Sequence, residues 1–152
     1  MLRENFEEVI SRWLDGCEGR IAEEFEQLLR TPMGHSFGAS MYKLALRYLE
    51  AEEYETDGIL REIRSCASDA SFRRAAVGFG LPDIIRTATA FREAMQQTLL
   101  NHYCSGDSDG EALLECFALL TSLGDAMVEG EVAGFFVFSK FGDDDEEMAE
   151  AV

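Results

Sequence analysis

Two histidines, four cysteines and thirty acidic residues are the side chains here that could bind a metal, move a proton or attack a substrate. His35 falls in a Pro-Gly break and His102 at the end of a long amphipathic stretch. A histidine inside a helical core raises haem ligation, which needs an imidazole facing a deep apolar slot. At a helix end, however, a histidine more commonly complements the negative terminus, and that is the plainer expectation for His102. The run DSDGE, residues 107–111, resembles the opening of a calcium loop but lacks the further oxygen ligands and the closing glutamate. Its acids read as helix caps. No Glu-x-x-His occurs, which removes di-iron four-helix chemistry. Neither histidine adjoins a nucleophile motif such as GxSxG, and GFG at 78–80 lacks the lysine and preceding strand of a phosphate loop. Cys17, Cys66, Cys104 and Cys116 form no CxxC pair and mostly fall within helical apolar patterns. Buried, reduced thiols are expected rather than zinc ligands or disulfides. No catalytic, metal or cofactor-binding residue is expected from these patterns.

Thirteen basic against thirty acidic residues give a formal charge of -17. So negative a surface repels nucleic-acid phosphates and anionic lipid headgroups, so nucleic-acid and membrane binding are not expected. A basic protein partner fits better. No apolar run reaches the roughly 18 residues of a membrane-spanning helix, and no signal peptide is recognised, so a cytoplasmic location is expected. At 152 residues and 47% hydrophobic content the chain suits one globular domain.

The elements that must position any site are helices. In LPDIIRTATAFREAMQQTLLNHY, Leu81 to Tyr103, the residues Leu81, Ile84, Ala88, Phe91, Met95, Leu99 and His102 recur at three- and four-residue steps. That spacing lays an apolar stripe along one side of a helix, predicted here as the central strut of the core. Pro82 suits its first turn and Asp83 the positive helix end. Upstream, Phe6, Val9, Ile10, Trp13, Cys17, Ile21, Phe25 and Leu28 keep helical spacing interrupted by Gly16 and Gly19. One kinked helix or two short ones are expected. Residues 30–36 read as a break around Pro32 and Gly34, with Ser36 capping a helix that carries Phe37, Met41, Leu44 and Tyr48. Another helix starts at Thr56; the sequence leaves open whether it stops at residues 68–69 or continues to Ala76. Gly78 and Gly80 end it in either case. After a turn at 104–111, a last helix is apolar on most sides, from Leu113 to Phe136. A helix of that kind is either central to the core or shared with a second subunit. The helical bundle is expected to span residues 1–142, and the acidic tail at 143–152 is expected to be disordered.

Phe135, Phe136, Phe138 and Phe141 cannot all face one core if their segment is helical. Either some cap the end of the bundle, or they form an apolar contact surface, as a homodimer seam or a dock for another protein. They are the candidate interface residues.

Several features taken in order carry a resemblance: WL at Trp13-Leu14, the PMG break at 32–34, and RRAAVGFGLPDIIRTATAFREAM at 73–95. Together they resemble the N-terminal domain family of RsbT co-antagonists (RsbRD). The resemblance implies an all-α, single globin-like bundle of five to six helices that carries no haem, often dimerises, and senses a signal for a stress-response output module. It supplies no ligand residues to carry over. A non-enzymatic signalling domain acting through protein–protein contact is therefore expected. The alternative is a globin-type sensor binding haem or another small ligand.

Overall fold

The long central helix, here α5 (Leu81–Tyr103), holds the middle of the molecule as its periodicity predicts: Ile84, Ala88, Phe91 and Met95 are buried. The computed structural model describes residues 5–103 and 110–150, apart from the side chains of Leu99, His102, Tyr103 and 142–150. The expectations for Leu99, His102 and Cys104, and for most of the 104–111 turn, thus lie outside the described residues. Among the described residues the architecture is an all-α bundle of six α-helices with no strand.

The first apolar stretch resolves into two helices, α1 (Phe6–Cys17) and α2 (Glu23–Leu29). Gly19 separates them at φ 77, a left-handed conformation that disfavours any residue with a Cβ. Helix α3 (Pro32–Glu50) begins earlier than its sequence suggests. Pro32 does not stop a helix but occupies the first turn of one, where its missing N–H leaves no bond unmade. Thr31, not Ser36, is the residue before it, and the break narrows to Arg30 and Thr31. Gly34 is needed there for closeness: a Cβ would overlap the Leu29 carbonyl.

Helix α4 (Thr56–Ala76) follows a single 3-10 turn at Glu53–Glu55 and runs unbroken through residues 68–69 to Ala76. It ends at Gly78, whose φ is 102. Helix α6 (Gly110–Glu150) is the longest at 41 residues, about 60 Å at the helical rise. It continues through the acidic stretch beyond residue 142, where composition alone suggests no structure; Glu, Met and Ala are good helix formers.

Two helix pairs build the core. Trp13 and Gly16 of α1 lie against Thr87 and Ala90 of α5, so these two helices run in the same direction. The indole Nε1 of Trp13 donates to the Thr87 carbonyl at 3.0 Å, giving the buried ring the polar partner it needs. The most extensive contact joins α4 and α6. Gly130 abuts the backbone of Arg64, and Gly134 abuts that of Ser68. Those matched steps set α4 and α6 side by side in the same direction, close enough that a side chain at either glycine would meet the Arg64 or Ser68 carbonyl.

Candidate functional site

Arg74 enters the core from the last turn of α4, and four other helices converge on it. Its side chain is 7% exposed. The stripe on α4 explains its direction: Ile59, Ile63, Ala67, Ala70 and Ser71 are buried at helical spacing, and Arg74 takes the next place. Phe37 of α3 lies under the guanidinium, with Cζ 4.2 Å from the ring centroid. That distance is within cation–π range and fixes the plane of the guanidinium. From α5, the Thr87 hydroxyl accepts from Nη1 at 3.2 Å and donates to the Ile84 carbonyl at 2.6 Å. Cys17 of α1 and Glu131 of α6 complete the surroundings.

Glu131 is fully buried. Its helix neighbours on the same stripe, Leu120, Leu123 and Met127, are buried as well, so packing carries the carboxyl inward. Oε1 lies 3.9 Å from Arg74 Nη1, beyond hydrogen-bond distance. Neither carboxyl oxygen has a hydrogen-bond partner, and Arg74 Nη2 has none either. Burial pushes the carboxyl up from the ordinary 4.5 to about 8, with the Arg74 charge acting the other way. Burial thus favours the neutral form of Glu131 well above the ordinary carboxylate range. Burial also lowers the Arg74 guanidinium while Glu131 opposes it, and an arginine stays charged through such shifts. The backbone carbonyl of Glu131 accepts a 2.6 Å bond from the Ser71 hydroxyl, which ties α6 to α4 at this level.

A pocket of about 180 Å³ opens beside Arg74, between the start of α3 and the end of α4. Leu28, Leu29, Met33, Phe37 and Phe79 form its apolar wall, and Arg73 stands at its rim.

The phenylalanines singled out in the sequence divide into two pairs. Phe135 and Phe138 turn inward against the core, and Phe138 meets Phe72 of α4 edge-on at 5.6 Å. Phe136 and Phe141 stay 54% and 55% exposed. With Ala133, Val137 and Lys140, all exposed, they occupy one face of α6 at helical spacing. His35 is exposed on the first turn of α3, edge-on to Phe6 at 5.5 Å, and does not line the pocket. Cys17 is buried and its thiol is pushed up to about 11, chiefly by burial, which makes it inert as a nucleophile. Cys66 and Cys116 are half-buried free thiols.

Sequence reasoning missed Arg74 and Glu131. The signal was present: each is a charged residue standing where an apolar stripe requires a hydrophobic one. Compared with known proteins, the chain matches no family model, no curated protein and no solved structure at a significant level.

Proposed function

We propose that this chain is a non-enzymatic, sensor-like regulatory domain of the cytoplasm that acts through protein–protein contact, first of all with a second copy of itself. The observation that carries this reading is the exposed face of α6. From Ser122 to Glu129 that face is polar or acidic, with Asp125 also outward; from Ala133 it turns apolar through Phe136, Val137 and Phe141, and Leu114 near the start of α6 is a further exposed apolar residue on it. Aromatic residues half-exposed in a row on one helix suit a helix–helix seam. The resemblance of residues 73–95 to the RsbT co-antagonist domains supports the same reading, on those motifs alone. No helix among the described residues is long and apolar enough to cross a membrane. The surplus of acidic charge favours a basic surface on any second partner and speeds the encounter.

The test is Phe136→Asp, measured by light scattering on a sizing column together with circular dichroism. The wild type is expected to dimerise, and the variant to shift to monomer with its helical content intact. A wild type that stays monomeric at high concentration would overturn the self-association. Proteins retained equally on beads carrying wild type and Phe136→Asp would count against this face as the docking surface.

A further inference from the structure

Arg74 lacks an acceptor for Nη2, although its side chain is more than nine-tenths buried and lines the pocket beside it. We propose that this pocket binds a small apolar monocarboxylate, its carboxylate paired with the Arg74 guanidinium and its body packed between Leu28, Leu29, Met33 and Phe79. This deepens the sensor reading by naming the chemical class of its ligand, and rests on that reading only for the ligand's role as a signal.

Three observations converge on an acid of this size. Charge comes first: among the described residues, Arg73 and Arg74 are the only charged side chains lining the pocket, in a chain whose net charge is -17. No carboxylate lines this concave apolar site, although Glu131 lies 3.9 Å from Arg74 Nη1 outside the lining, and arginines as its sole charged groups suit an anion. The second is the wall formed by the first turn of α3, a 19-residue helix with no side-chain cap, which contributes Met33 and Gly34. Its positive end adds to the attraction for a carboxylate. Volume is the third. The space is about 180 Å³, against the roughly 150 Å³ that accommodates benzene in an engineered cavity. One ring or a short branched chain fits, and a porphyrin does not. Inorganic phosphate would leave the apolar wall unfilled.

Phe37 lies on one face of the guanidinium and Thr87 at Nη1, and Nη2 is the buried donor left without an acceptor. The exposed rim, Ser36, Ser40 and Arg73, leaves an entrance.

The experiment is calorimetric titration of the full chain with benzoate, benzamide and inorganic phosphate in parallel. Benzoate is expected to bind with a Kd on the order of 0.1–1 mM, as suits so small a ligand. Benzamide and phosphate are expected at least about tenfold weaker, since one lacks the charge and the other the apolar body. Arg74→Met removes a core side chain, so the deciding variant is Ser40→Trp at the exposed rim. It should keep the helical content and weaken benzoate at least about tenfold. No heat with benzoate, benzamide binding as tightly, or unchanged binding in a folded Ser40→Trp would each overturn the proposal. The titration involves no partner, so its failure removes the ligand while the Phe136→Asp measurement decides the contact face separately.

Discussion

Glu131 costs the fold most where the solvent is least acidic. Its carboxyl titrates near 8 in the folded chain and near 4.5 in an unfolded one, so the folded state holds the proton more tightly. Stability linked to this group is fully present below pH 4.5 and drains away as pH rises toward 8. The span is on the order of 5 kcal/mol. Glu131→Gln keeps the shape and removes the titration. Urea unfolding at pH 5.5, 7 and 8 should show wild-type stability falling with pH and the variant nearly flat, the variant being the more stable at pH 8. Parallel slopes would show that some other group sets the pH dependence. The position was legible in the sequence only as an anomaly. Periodicity reports which face a residue occupies, and an acid on a buried face contradicts the rule that made the face readable. Arg74 is the same case, because RRAA at a helix end reads equally well as basic residues complementing the terminus.

Among the elements, the pairing of α4 with α6 depends on glycines whose role lies wholly in what they lack. Alanine is the better helix former by about 1 kcal/mol, so propensity favours Gly130→Ala and Gly134→Ala. Sterics oppose it, since the added methyl groups would overlap the Arg64 and Ser68 carbonyls, and backbone cannot swing aside as a long side chain can. The steric cost should win, leaving each variant destabilised by about 3 kcal/mol. Gly58, on the exposed start of α4 with nothing within 4 Å of a Cβ, is the control. Gly58→Ala should stabilise the protein by up to about 1 kcal/mol. Thermal denaturation of the three variants checks both signs at once. The sequence displays Gly130 and Gly134 at helical spacing, but which carbonyls they face is a tertiary fact. By contrast α5 was readable from Leu81 onward, because proline, acid and apolar stripe all agree there. Pro32 misled because the same residue that ends one helix also starts the next, and only the chain's direction after Thr31 decides which.

At the scale of the whole molecule, charge opposes compactness. Much of the basic complement is already engaged in exposed pairs, among them Arg20 with Glu93, Arg47 with Glu62 and Arg64 with Glu129. Exposed pairs of this kind contribute about 0–1 kcal/mol each, whereas the unbalanced acids repel across the surface. Added salt screens both, and the repulsion is the larger. Raising sodium chloride from about 10 to about 150 mM, where the screening length shortens from roughly 30 to 8 Å, should therefore raise the melting temperature. A fall would show that the paired arginines outweigh the excess acids. The all-α class followed from apolar spacing, which is local, whereas the split of the first stretch into α1 and α2 was left open by it. The pocket did not follow from it either, because it is assembled from the ends of α2 and α4, the start of α3 and a loop phenylalanine that no spacing rule connects.

The protonated carboxyl between α4 and α6 gives the folding reaction a second reactant. Near neutral pH the collapsing chain must take up roughly one hydrogen ion from its surroundings, so the heat of folding includes the ionisation heat of whatever buffer supplies it. Folding enthalpies recorded in Tris and in phosphate should then disagree by that difference, with the gap closing in acid, where the unfolded chain already carries the proton.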